Sequence, residues 1–127
     1  VGAVPSAVVC DDDLMSRQVL RGLLSDAGFD VIGEVDMAVA ALDLVSVTRP
    51  DVLVLDVNMP GLSGVDIVKD VQERSPDTKI IVVSAYGMEH LDHIELGAAA
   101  VLPKTDLVRF DEVLAEVMAE HGTTSMP

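Results

Sequence analysis

The chain has 127 residues, 22 Asp plus Glu against 8 Lys plus Arg, a net charge of −14, and an apolar half whose only aromatics are Phe29, Tyr86 and Phe110. That length suits one domain with one good core, and the abundance of Val, Leu and Ala excludes a disordered acidic tail. The acidic excess excludes direct nucleic-acid binding by this domain, because phosphate recognition rests on Lys and Arg.

In chain order, residues 7–10 form a first apolar run. Met15, Val19, Leu20, Leu23, Leu24 and Ala27 then fall on one helical face, and Gly28 supplies the stop. A second run at 31–35 leads to a helix carrying Ala41, Leu44, Val45 and Thr48, which ends before Pro50. The third run, 52–55, precedes a helix with Ile67, Val68 and Val71, closed before Pro76. A fourth run at 79–83, a helix at 88–95 and a fifth run at 98–102 lead to a final helix with Phe110, Val113, Leu114, Val117 and Met118 in register. Unalternating apolar runs suit strands buried on both faces of a parallel sheet. The alternation predicts a doubly wound α/β fold, an open sheet with right-handed crossovers and helices on both faces. Residues 121–127 read as a flexible tail or the start of a linker, and Val1 in place of Met suggests processing or excision from a longer chain.

Cys10 is alone, which excludes an internal disulfide and a Cys-rich zinc site. Three aspartates by position 13 and no basic start exclude a signal peptide, and no apolar run approaches the ~20 residues of a membrane helix. A cytoplasmic location without membrane contact is the expectation. Cys10 itself reads as a small core residue, and His90 with His93, lacking a third ligand, as a solvated helix face.

In an open α/β sheet, ligands bind beyond the carboxyl ends of the strands, near the point where strand order reverses. The residues that follow the runs there are Asp11, Asp12 and Asp13, then Asp56, then Ser84, then Lys104. One Asp is enough to cap the first helix, so the others need another explanation. Two carboxylates about 4 Å apart repel by roughly 4 kcal/mol at an effective dielectric near 20. Such a cluster calls for a cation, and hard oxygen donors favour Mg²⁺, with Mn²⁺ as a substitute.

Four segments, 8–13, 52–64, 80–85 and 97–104, resemble in order and spacing the response regulator receiver domain, the CheY-like phosphoacceptor of two-component systems. The likeness covers residues 7–120, and the segment from Asp56 through Asn58, Met59 and Pro60 to Gly61 is its most specific part. It implies a five-stranded sheet in order 2-1-3-4-5 and a switch phosphorylated on Asp56 by a sensor histidine kinase or phosphotransfer protein. Asp11, Asp12, Asp56 and the main-chain carbonyl of Asn58 would hold Mg²⁺. Ser84 would be the switch hydroxyl and Lys104 the charge partner of the phosphoryl group. The chain would not be a turnover enzyme, and it would hold no organic cofactor. Its output would pass to a partner or a missing effector domain through the face built from the helix at 88–95, the fifth strand and the final helix. Leu91, Ile94, Val101 and Val108 would give that face an apolar element.

Two departures stand out. Val101 occupies the position three before the lysine where the family usually has Tyr or Phe, so an aromatic readout is not expected. Pro103 precedes Lys104 and Thr105 follows it, whereas the family commonly places a cis-linked proline after the lysine. That pattern resembles receivers joined to LuxR/NarL-type DNA-binding domains. Asn58 and Tyr86 stand two past the acceptor and two past the hydroxyl, where family members tune phosphoryl lifetime, and Tyr86 is expected either to screen the phosphoryl group partly from water or simply to pack on the surface as a loop aromatic. A haloacid-dehalogenase-type phosphatase would carry its nucleophile after the first strand, with a second Asp two residues on. A flavodoxin would carry a Ser/Thr/Gly phosphate loop where this chain has three aspartates. A receiver serving only as a phosphorylation-independent interaction module is disfavoured by the complete acidic set.

Overall fold

The structure, a computed structural model, describes residues 4–59, 64–85 and 97–123. Five strands, β1 (Ser6–Cys10), β2 (Asp30–Val35), β3 (Val52–Asp56), β4 (Lys79–Ser84) and β5 (Ala100–Pro103), form one parallel sheet in the order β2-β1-β3-β4-β5. The helices described are α1 (Leu14–Asp26), α2 (Ala38–Thr48), α3 (Gly64–Arg74) and α4 (Phe110–Thr123), with a 3-10 helix at Lys104–Arg109 before α4. The expected doubly wound architecture and strand order are both present.

Alternating side chains of the central strands feed two cores. Ala7, Val9, Val52, Val54, Ile81, Val83 and Leu102 pack against Leu20 and Leu24 of α1 and Phe110, Val113, Leu114 and Val117 of α4. On the other face, Val8, Cys10, Leu53, Leu55, Ile80 and Val82 meet Ala41 and Val45 of α2 and Ile67, Val68 and Val71 of α3. β1, β3 and β4 are buried on both faces, which is why their sequences do not alternate, whereas the edge strands β2 and β5 are only partly buried. All five residues of β3 are buried, so it runs through the centre and delivers Asp56 to the sheet's carboxyl edge.

Two glycines carry geometric demands. Gly28, at φ 92, follows the C-cap Ala27 and turns the chain from α1 into β2. At Gly33 an added Cβ would meet the end of the Leu44 side chain on α2, which would have to shift to admit it.

The helical face expected on α1 is narrower than its sequence suggests. Leu20 and Leu24 are buried, but Met15 and Val19 are 73% and 49% exposed. They belong to the neighbouring i, i+4 row, rotated by about 100° away from the sheet. Ala27 and Thr48 are exposed as well, at the ends of their helices. The fifth strand begins at Ala100 rather than 98, because the turn at Gly97 (φ 88) precedes a regular ladder that starts with Ala100 opposite Ile81. α4 continues to Thr123, three residues into the segment expected as a tail; no Gly or Pro interrupts its hydrogen-bond ladder before Gly122. Residues 124–127 lie outside the described residues. So do Tyr86, His90, His93, Leu91 and Ile94, the expected helix at 88–95, and Pro60 and Gly61. No described helix is long and apolar enough to cross a membrane.

Candidate functional site

The carboxyl ends of β1, β3, β4 and β5 bring together Asp11, Asp56, Ser84 and Lys104, residues far apart in the chain. Asp11 is fully buried and Asp56 is 2% exposed, an unusual setting for carboxylates unless they are paired. Lys104 supplies the pairing. Its Nζ lies 2.8 Å from Asp11 Oδ2 and 3.0 Å from Asp56 Oδ2, and it also donates to Ser16 Oγ at 3.3 Å. The remaining oxygens are held by main-chain donors: the Asp13 N–H reaches Asp11 Oδ1 at 2.9 Å, and the Asn58 N–H reaches Asp56 Oδ1 at 2.8 Å.

Asp12 projects into solvent beside this buried pair. Asp11, Asp12 and Asp56 each offer a carboxylate oxygen, and the three oxygens lie within 4.8 Å of one another, the geometry of a cation site. Asp13, the last of the run, instead caps α1. Its Oδ2 accepts from the Ser16 N–H at 3.1 Å and the Ser16 hydroxyl at 2.7 Å, and these contacts hold its carboxyl below its ordinary value of 3.8. The capping and site roles that seemed to compete for one acidic run are thus divided along it.

Burial pushes the Asp11 carboxyl above its ordinary 3.8, against the lowering contacts with Lys104 and the Asp13 N–H; the Asp56 charge adds to the rise. For Lys104, burial opposes the charge, but hydrogen bonds with Asp11 and Asp56 outweigh it and hold the ammonium above 10.5. Burial also pushes the Cys10 thiol up to about 12, with Asp11 next in effect, which fits the expected inert core residue.

Ser84, fully buried at the end of β4, donates its hydroxyl to Asn58 Oδ1, which also accepts the Ala85 N–H at 3.0 Å. The Asn58 side chain therefore joins the β3 and β4 ends, a role beyond the main-chain carbonyl expected of it. Val101 is half-buried against the α2/α3 core, opposite Val82, and presents no ring to solvent. Pro103 ends β5 beside Ser84 in extended geometry, and no cis peptide occurs among the described residues.

Two contributors escaped the sequence reading. Ser16 contacts Lys104, a partner 88 residues away in the chain. Arg17 donates from Nη1 to the main-chain carbonyl of Asp11 at 2.9 Å; nothing local in the sequence announces that contact.

The family model for the response regulator receiver domain matches residues 7–116. The chain belongs to that family. Among receiver-containing relatives, the chemotaxis protein CheY of Thermotoga maritima is 30% identical over 99 residues, 76% of this chain and 82% of that protein. The transcriptional regulatory protein YdfI of Bacillus subtilis is 34% identical over 100 residues, covering 76% of this chain but 46% of YdfI. Against several protein-glutamate methylesterases the match spans only 24% to 34% of the relative's length. The signal receiver domain of the response regulator NarL from Mycobacterium tuberculosis superposes with a TM-score of 0.78 at 30% identity, covering 95% of this chain and 98% of that one. The chain is thus a receiver domain of the kind found in two-component systems, and its sheet order is that of the receiver fold.

Receivers typically bind Mg²⁺, and the residues present fit it. The donors are all hard oxygens, and among the described residues the buried Asp11 Oδ2 meets no partner but the Lys104 ammonium. Cation binding here would need Asp11 ionised, so it would release a proton in the range where that carboxyl is part-protonated. Mg²⁺ affinity is therefore expected to weaken on acidification from a pH above the ordinary Asp value of 3.8. Titration of the metal at constant ionic strength checks this; a profile flat down to 3.8 would contradict it.

Proposed function

We propose that the chain is a phosphoacceptor switch. The observation that carries this reading is Lys104 bridging two buried carboxylates, Asp11 and Asp56, with Asp12 within reach of both. Asp56 is the nucleophile: a carboxylate oxygen bonds to phosphorus as the P–N bond to a histidine of the sensor kinase or phosphotransfer protein breaks, and the imidazole leaves. Asp11, Asp12, Asp56 and the Asn58 carbonyl would hold Mg²⁺, which when bound would supply positive charge to neutralise the phosphoryl oxygens. Lys104 contributes a second positive charge at the same place. Ser84 exchanges its Asn58 partner for a phosphoryl oxygen, and that exchange pulls the end of β4. Hydrolysis of the acyl phosphate returns the starting state, so the domain is a switch and not a turnover enzyme. It works in the cytoplasm, and β5 with α4 forms part of its output face; Val108, on the 3-10 helix between them, is 91% exposed.

A second layer of this reading makes the domain the receiver of a LuxR/NarL-type transcriptional regulator. The likeness to the NarL receiver favours it, as does Thr105 following Lys104 in place of proline, and the likeness to the transcriptional regulatory protein YdfI supports a role in transcription.

The test is exposure to acetyl phosphate, or to beryllofluoride as its stable mimic, with and without Mg²⁺. The expected result is an adduct on Asp56 by mass spectrometry, dependent on Mg²⁺ and absent in Asp56→Asn. No adduct on the wild-type chain would leave only a phosphorylation-independent interaction module.

A further inference from the structure

Behind the acidic loop stands a cation that charge alone does not explain. Arg17, in the first turns of α1, is 16% exposed in its side chain, against 60% for Arg21 one turn on. Its Nη1 donates to the Asp11 carbonyl at 2.9 Å, while its Nε lies 3.4 Å from Glu34 Oε1 on β2. Arg21 takes the other oxygen of Glu34, Nη1 to Oε2 at 2.9 Å. The Asp11 N–H is tied in turn to the Val35 carbonyl at 3.1 Å. Both main-chain polar groups of Asp11 are therefore anchored, the N–H by β2 and the carbonyl by Arg17 of α1.

A guanidinium close to a cation site repels the cation. What it offers in return is directional, because its planar fork holds two acceptors at fixed angles, as an ammonium does not. We infer that Arg17, oriented by Glu34, is a positioning residue that fixes the Asp11 carbonyl and so aims the Asp11 and Asp12 carboxylates at the space they share with Asp56. The inference rests on the reading that this cluster takes Mg²⁺. Partners that orient metal ligands commonly contribute a factor of about 10 or more in affinity.

The two possible roles of Arg17 predict opposite signs. If it were only a nearby positive charge, Arg17→Ala would bind Mg²⁺ more tightly. As a positioning residue, its loss weakens Mg²⁺ by about 10-fold. The experiment is a Mg²⁺ titration of the full chain, followed by the amide shifts of Asp12 and Asp13, beside urea unfolding without metal. Arg17→Ala and Arg17→Lys are both expected to lose about 10-fold, the second despite keeping the charge. Arg21→Ala, which shares Glu34 but not the Asp11 carbonyl, is expected to stay within about 2-fold. If Arg17→Ala does not fold, Arg17→Lys decides the matter. Unchanged or tighter binding in the Arg17 variants overturns the inference. So does a lower urea midpoint without a change in affinity, or an equal loss in Arg21→Ala. A wild-type chain with no Mg²⁺ response overturns the metal reading itself, and the positioning role with it.

Discussion

Replacing Lys104 by alanine is expected to destabilise the metal-free protein by about 3 kcal/mol at pH 7, because it leaves buried carboxylates without their cation. Lys104 contacts both Asp11 and Asp56, and among the described residues no other ion pair reaches either carboxylate. The pH dependence follows from the two raised values. Lys104 contributes stability that is fully present below 10.5 and is lost as pH rises through its higher folded value. The Asp11 carboxyl is raised already; without Lys104 it rises further, and a carboxyl raised in the folded state stabilises below its unfolded value and loses that stability as pH climbs through the folded one. The deficit of Lys104→Ala should therefore be full near neutrality and shrink both toward acid and in strong alkali. Millimolar Mg²⁺ should also shrink it by supplying the missing positive charge. Urea unfolding across pH, with chelator or with Mg²⁺, measures all of this. An unchanged midpoint at pH 7 in chelator would sink the pairing account.

Phe110→Ala is expected to cost about 3–5 kcal/mol, a large share of a typical total of about 5–15 kcal/mol. Phe110 is fully buried, opens α4 and packs in one cluster with Leu20, Leu24 and Leu102. The 3-10 helix that begins at Lys104 ends immediately before it. Its ring is one of very few aromatics in the chain, and the smaller aliphatic neighbours cannot fill the space it leaves. A loss below about 1 kcal/mol in denaturant unfolding would show that the core closes over the gap.

These two residues also show where the sequence was informative. Phe110 was legible because its helix keeps apolar residues in strict register, and the structure buries that face. Lys104 was legible as a residue just past a strand, and its partners followed once the sheet edge was known. Met15 and Val19 misled, because local periodicity records how apolar a row is and not which row faces the sheet. Arg17 and Ser16 went unread for a different reason. Their partners, Glu34 with the Asp11 carbonyl, and Lys104, come alongside α1 only when β2 and β5 are in place.

The sequence by itself determined the strand and helix alternation, the acidic and basic residues at the strand ends, and the family, since each is carried by short segments at set intervals. Only the tertiary structure decided which aspartate caps α1, which two are buried against Lys104, and that the Asn58 side chain holds Ser84. Adjacent aspartates are chemically identical in the chain. The direction each side chain takes at the turn from β1 into α1 sets its solvent exposure and partners, and these decide its charge, its pKa and its task.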